Sequence, residues 1–133
     1  MTDTRAVHTK GAPAALGPYS QGIIAGGYLF AAGQIGIDPA TGKMAGPDVV
    51  SQARQLFRNL DAVLRAAGLG FRDVVKTTVY LADMDEFAAV NEVYAEAFEE
   101  PYPARSAVQS ARLPRDARVE VELIARLRPA AGG

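Results

Sequence analysis

Hydrophobic residues recur every three or four positions between Asp48 and Gly68, a spacing that predicts an amphipathic helix. The opposite face of this helix carries Arg54, Gln55, Arg58, Asp61 and Arg65. Asp48 suits the N-terminus, where a carboxylate accepts hydrogen bonds from exposed N–H groups, and Gly68 suits the end. A similar pattern predicts a second helix over 83–99, which Pro101 and Pro103 end.

Stretches that favour β-strands lie on both sides of the predicted helices. Residue patterns predict strands over 5–9, 19–25, 28–34, 74–81, 104–110 and 117–127. The pair Gly26-Gly27 indicates a hairpin between the second and third of these strands. Pro39 and Gly42 indicate a turn over 38–43.

The order of elements is strands, helix, strand, helix, strands. This order predicts an α+β fold in which a mixed sheet carries both helices on one face. The chain has 133 residues, which fits a single domain over 1–133 with a hydrophobic core of its own. Its tail, about 129–133, is expected to be disordered.

The last predicted strand has two different faces. One set of alternating residues is apolar and is expected to meet the helices: Val119, Val121, Leu123, Ala125 and Leu127. The other set is polar at one end and includes an apolar residue: Arg118, Glu120, Glu122, Ile124 and Arg126. A face of this mixed character predicts a subunit interface with a wet pocket.

Composition excludes several classes of protein. Hydrophobic residues make up 49% and charged residues 22%, the balance of an ordinary globular protein. The net charge is −1 and basic residues are scattered singly, so no nucleic-acid partner is expected. The absence of cysteine excludes disulfides and thiolate chemistry. No signal peptide or membrane-spanning run is found, so we expect a cytoplasmic protein without a membrane segment.

Common catalytic and cofactor motifs are also missing from the sequence. His8 is the single histidine, and an exposed strand end is favoured for it over a catalytic triad or a zinc site. The glycines match neither a phosphate-binding loop nor a dinucleotide fingerprint. Acid–base and ion-pair chemistry remains, and no cofactor or metal is expected.

Two charged residues near the C-terminus suggest a site. Arg105 follows two prolines, and its planar guanidinium can form two parallel hydrogen bonds with one carboxylate. Glu120 lies within a strand and suits a general base or a group that positions water. Facing the same way on neighbouring strands, these groups would suit a small anion and a water. For Arg105 the competing interpretation is a salt bridge to Glu120 or Glu122. For Glu120 it is a place on a solvated strand face.

Two further positions are candidates for the same site. Tyr19 follows Gly17-Pro18 at a corner between loop and strand, where it can line a pocket or pack in the core. Gly33 lies inside a strand, which indicates a bulge, a close approach of ligand to backbone, or a simple kink.

Short segments along nearly the whole chain, from about Val7 to Leu127, resemble the RidA (YjgF) family of reactive-intermediate deaminases in order and spacing. These segments are Gly17-Pro18-Tyr19-Ser20-Gln21, Gly33-Gln34-Ile35, Gln52-Ala53-Arg54, Asn59-Leu60, Ala66-Ala67-Gly68, Val75-Lys76-Thr77-Thr78-Val79, Pro103-Ala104-Arg105-Ser106, and Leu113-Pro114 through Glu120.

The resemblance implies a chorismate-mutase-like fold, assembled as a homotrimer around a central barrel with sites in the clefts between subunits. The implied activity is hydrolysis of 2-imino acids to 2-keto acids and ammonia, without a cofactor. The implied substrates are the imine and enamine products of pyridoxal-phosphate enzymes.

The resemblance also assigns roles to residues. Arg105 is expected to bind the substrate carboxylate, with help from the backbone N–H groups of Gly33 and Ala107. Glu120 is expected to hold the attacking water, and its pKa should be raised near the substrate and away from bulk water. Tyr19 is expected to line the pocket.

This chain departs from the family pattern in two places, where Ala32 stands for a frequent serine and Ala107 for a frequent cysteine. Substrate preference is the property that these changes affect most. A regulatory trimer that senses keto acids and a pathway-specific deaminase, such as one for 2-aminomuconate, are alternative functions. A ribonuclease or translation inhibitor is less favoured, because the sequence has no basic stripe.

Overall fold

The computed structural model describes residues 4–129. The α-helices are α1 (Val49–Ala66) and α2 (Phe87–Ala97). The strands are β1 (Arg5–Val7), β2 (Gly22–Ala25), β3 (Tyr28–Gln34), β4 (Ile37–Asp38), β5 (Lys43–Met44), β6 (Val74–Leu81), β7 (Ala104–Gln109) and β8 (Val119–Arg126). The predicted disordered tail lies outside the described residues, apart from Pro129. Between residues 4 and 129, no helix is both long enough and apolar enough to cross a membrane.

Six strands form one sheet, in the order β1-β2-β3-β8-β6-β7. β6 and β7 run parallel, and the other neighbouring pairs of this sheet are antiparallel. β4 and β5 form a separate small hairpin across the predicted turn, where Gly42 has a φ of 72°. The prediction of an α+β fold with a mixed sheet is confirmed.

Helix α1 forms where the hydrophobic spacing predicts it. The Asp48 carboxylate accepts a hydrogen bond from the Ser51 N–H at 2.9 Å and caps the first turn. The apolar side of the helix packs on the sheet, and Leu56 and Leu60 are fully buried there. The chain leaves the helix at Gly68, whose φ of 76° costs glycine little.

Helix α2 is shorter than the helix predicted over 83–99. A 3₁₀ turn, Met84–Glu86, precedes it, because the Asp83 carboxylate accepts a hydrogen bond from the Asp85 N–H at 2.9 Å. The helix stops at Ala97, since Phe98 is already extended and turns into the core. Helix length therefore depended on a local cap and on one buried aromatic ring.

Polar side chains on the buried side of α1 hold the loops that lead to the site. Asn59 is fully buried and donates to two backbone carbonyls just after β3. Gln52 accepts a hydrogen bond from the Arg118 N–H at 2.8 Å, immediately before β8. Gln55, predicted on the polar face, is instead buried and donates to Asn59, which corrects that assignment.

The two faces of the sheet differ as the alternation in β8 predicts. Val119, Val121 and Leu123 are buried toward α1 and α2. The sheet face opposite the helices carries the half-buried Glu120 and Glu122 and is called the open face below.

β7 and β8 are not neighbours, contrary to the prediction, because β6 lies between them. Arg105 pairs in register with Thr77, which is fully buried on the helix side of the sheet. Glu120 pairs in register with Tyr80 on the open face. Since side chains alternate between faces along a strand, Arg105 and Glu120 point to opposite faces, and the predicted placement on one face is wrong.

Candidate active site

Glu120 lies directly over a glycine of the neighbouring strand. The register between β3 and β8 shifts between Ala31 and Gln34, so Gly33 belongs to a β-bulge. A bulge is one of the features predicted for a glycine at this position. A Cβ atom on Gly33 would overlap Oε2 of Glu120 and lie 3.0 Å from its Cδ. The bulge and the missing side chain together leave room for the carboxylate.

The Glu120 carboxyl has a raised pKa. Partial burial of the carboxyl group on the open face is the main cause of the raised pKa, and the negative charge of Glu122 raises it further. A carboxylate with a raised pKa accepts a proton from water more readily and can return it in a later step. The direction agrees with the expectation from the sequence.

Tyr80 and Glu122 form a pair beside Glu120. The Tyr80 hydroxyl donates a hydrogen bond to Oε1 of Glu122 at 2.5 Å. This hydrogen bond is the first cause of the raised pKa of Tyr80. No sequence motif marks Tyr80, because its place in the site depends on the register between β6 and β8.

Arg105 lies against α2 on the other side of the sheet. Its Nη1 donates to Oδ1 of Asn91 at 2.7 Å. Its Cζ is 4.7 Å from the ring centre of Tyr94 and 5.1 Å from that of Phe87, distances typical of cation–π contacts. These contacts hold the guanidinium in place and leave several of its N–H groups for a ligand. Neither Asn91 nor the two rings stand out in the sequence, because helix-to-strand packing brings them to Arg105.

A pocket of about 410 Å³ opens beside Arg105, lined by Asn91, Tyr94, Ala95, Tyr102, Pro103 and Arg105. Among these lining residues only Arg105 carries a charge, so the pocket suits a small anion with an apolar part. The competing interpretation of a salt bridge to Glu120 or Glu122 is wrong, since the side-chain partner of Arg105 is Asn91. Across residues 4–129, no cluster of three or more His, Asp or Glu side chains is arranged to hold a metal ion.

Tyr19 lies in the loop before β2 and is 56% exposed, so the alternative of core packing is wrong. Its loop continues to Gln21, whose carbonyl accepts a hydrogen bond from the Ala32 N–H at 3.0 Å. Tyr19 therefore lies two residues before Gln21, which is hydrogen-bonded to Ala32, the residue that precedes Gly33 in the bulge.

Ala107 lies on β7, two residues after Arg105 and on the same face. Its side chain is half-buried against the core. The predicted site residues therefore form two groups in one chain. Glu120 and Gly33 meet on one side of the sheet, and Arg105 and Ala107 lie on the other. The catalytic and binding roles of these residues stay predictions.

The open face also has an exposed apolar part. Phe30 and Ile124 stand opposite each other there, and Phe30 is 44% exposed. Val108 stands opposite Tyr80 on the edge strand β7 and is also 44% exposed. Apolar surface of this kind is typical of an interface, so the open face suits contact with another subunit.

Comparison with known proteins places this chain in a defined family. A family model described as Endoribonuclease L-PSP matches residues 9–127. A RutC family protein of Pyrococcus horikoshii is 54% identical over 119 residues, which cover 90% of this chain and 94% of that protein. A protein of Salmonella typhimurium named 2-iminobutanoate/2-iminopropanoate deaminase is 47% identical over 125 residues, which cover 92% and 97% of the two chains.

The solved structures agree with the sequence comparisons. The crystal structure of the YjgF gene product from E. coli superposes with a TM-score of 0.88 at 46% identity, covering 93% of this chain and 99% of the other. The fold is therefore an α+β fold with a mixed sheet and two helices, as in these solved structures. The chain belongs to the RidA (YjgF) family, as its residue segments indicate.

Proposed function

We propose that this protein hydrolyses reactive 2-imino acids of the 2-aminoacrylate and 2-iminobutyrate class to 2-keto acids and ammonia, and so protects pyridoxal-phosphate enzymes. The observation that carries this proposal is the Glu120 carboxylate, half-buried over Gly33 with a raised pKa. Relatives that bear the name 2-iminobutanoate/2-iminopropanoate deaminase support the substrate class.

The complete site lies between two subunits of a homotrimer in this proposal. Arg105 and Glu120 point to opposite faces of one sheet, so one chain does not direct both groups at one small molecule. A neighbouring subunit that packs against the open face can bring its own Arg105 toward Glu120. Exposed apolar residues on that face, including Phe30 and Val108, support such contact.

The chemistry needs only positioning and proton transfer. Arg105 binds the carboxylate of the protonated imine, which fixes the electrophilic C2 carbon. Glu120 takes a proton from a water as the water oxygen bonds to C2, and the C=N electron pair moves to nitrogen. Glu120 then returns its proton to the nitrogen of the resulting carbinolamine and the C–N bond breaks as ammonia leaves. The C2 hydroxyl gives its proton to Glu120 as its oxygen forms the C=O bond of the keto acid.

A direct assay tests the proposed activity. A dehydratase that releases 2-aminoacrylate or 2-iminobutyrate is coupled to keto-acid detection, and the protein is titrated in. Imine decay should accelerate in proportion to protein concentration. Calorimetry with 2-ketobutyrate runs in parallel, since keto-acid binding without faster imine decay would contradict the proposal and favour a sensor.

Mixed trimers test whether the site is shared. Co-assembly of Arg105→Ala chains with Glu120→Gln chains should restore up to about a quarter of wild-type activity, because one interface in four then pairs two intact groups. Activity after co-refolding is the measurement, and the same chains mixed without subunit exchange are the control. No recovery above the parent variants, in trimers confirmed by native mass spectrometry, would place both groups in one subunit.

Gly33→Ala tests the geometry around Glu120. The added methyl group overlaps the carboxylate, so Glu120 must move, and we expect kcat to fall on the order of 10²-fold. Gly70→Ala is the matched control, because a Cβ atom there meets nothing within 4 Å and its φ of −142° suits alanine. Steady-state kinetics compare the two variants. Equal activity in both would show that the place of Glu120 over the bulge is not needed.

A further inference from the structure

The pair formed by Tyr80 and Glu122 has no part in the reaction as described so far. Its hydrogen bond joins β6 to β8 on the open face, within the same row of side chains as Glu120. Tyr80 stands directly opposite Glu120, whereas Thr78 stands opposite Glu122. The tyrosine therefore reaches diagonally past Glu120 to bind the other carboxylate.

This diagonal bond limits where the Glu122 carboxylate can lie. Residues two apart on a strand share a face and are separated by roughly 6–7 Å along it. A glutamate without this hydrogen bond could rotate its carboxylate toward solvent and away from Glu120. The bond from Tyr80 instead keeps the negative charge on the sheet, close to Glu120.

Other charges on the open face are engaged elsewhere or stand farther along the sheet. Lys76 donates to the Ser106 hydroxyl on β7 at 3.2 Å. Arg118, just before β8, pairs with Glu86 at 2.7 Å. Arg126 stands opposite Tyr28 at the far end of β8. Neither Glu120 nor Glu122 belongs to an ion pair within residues 4–129.

We propose that Tyr80 and Glu122 are positioning residues for Glu120, in which Tyr80 holds the Glu122 charge beside Glu120 and so strengthens Glu120 as the base that activates water. This inference rests on the proposed imine hydrolysis for its catalytic part. The negative charge of Glu122 is the second cause of the raised pKa of Glu120, after burial, which agrees with the geometry. In the proposed reaction the pair acts through Glu120 and not on the substrate itself.

Titration of Glu120 itself tests the electrostatic part, and it does not require enzyme activity. Carbon-detected NMR on protein with ¹³C-labelled glutamate carboxyls follows Glu120, whose signal is assigned from its loss in Glu120→Gln. In Glu122→Gln the pKa of Glu120 should fall. In Tyr80→Phe it should fall less, because the charge remains but is no longer held. Glu92→Gln, an exposed change on α2, is the control and should leave the titration unchanged.

Kinetics test the catalytic part of the inference. A base must be ionised to act, so a lower Glu120 pKa should move the acid limb of the kcat profile to lower pH. At neutral pH the weaker base should reduce kcat on the order of threefold in Glu122→Gln, with KM unchanged. A loss of packing alone would not move the acid limb.

Three outcomes decide the inference. An unchanged Glu120 titration in both folded variants would overturn it. A shifted titration with an unchanged pH profile would overturn its link to catalysis. If the wild-type protein hydrolyses no imine, the proposed function fails, while the titration still decides whether Tyr80 and Glu122 act on Glu120.

Discussion

Arg105→Ala is expected to lower kcat/KM for hydrolysis of 2-iminopropanoate by roughly 10²–10³-fold, because it removes the cation proposed to bind the substrate carboxylate. Arg105 is the charged member of a pocket otherwise lined by neutral side chains such as Asn91 and Tyr102. No nearby lining residue can replace its paired N–H groups. Steady-state kinetics with the dehydratase-coupled assay measure the loss.

Two further variants make the Arg105 result specific. Arg105→Lys keeps the charge but loses the planar fork, so its activity should lie between those of wild type and Arg105→Ala. Arg54→Ala removes an exposed arginine that pairs with Glu96 on the helical side and should leave activity unchanged. Retained activity in a folded Arg105→Ala protein would exclude the role of Arg105 as carboxylate anchor.

Glu120→Gln should reduce kcat by roughly 10²–10⁴-fold and leave KM nearly unchanged. Glutamine keeps the size of the side chain over Gly33 but cannot accept and return a proton. Single-turnover kinetics with preformed imine separate this chemical step from binding. Glu92→Gln provides a variant with the same change in charge away from the site. A Glu120→Gln rate equal to wild type would require another group to deliver the water.

The elements of the fold could largely be predicted from the sequence, because their signals are local. Helix α1 follows from its hydrophobic period and from the cap that Asp48 provides, and both lie within one stretch of chain. The boundaries of α2 could not be predicted as well. The Asp83 cap favours a 3₁₀ turn, and burial of Phe98 ends the helix, so a tertiary contact decided its length.

The residues of the site could be predicted better than their arrangement. Arg105, Glu120 and Gly33 stand out by type and position. Their relative directions depend on strand order, and insertion of β6 between β7 and β8 is a long-range pairing that no local pattern reports. Alternation along one strand determines which residues share a face. Which side of the sheet that face occupies depends on the register with the next strand. Tyr80 was missed for the same reason.

Division of the two charged groups between opposite faces of one sheet has a consequence for regulation by abundance. In a single chain, the proposed anchor Arg105 and the proposed base Glu120 lie on opposite faces of the sheet and cannot act on the same molecule. If the proposed homotrimer forms, dilution below the dissociation constant of the assembly removes activity by mass action. In the proposed trimer, the concentration of the protein would then set a threshold for activity, below which separate chains contribute little.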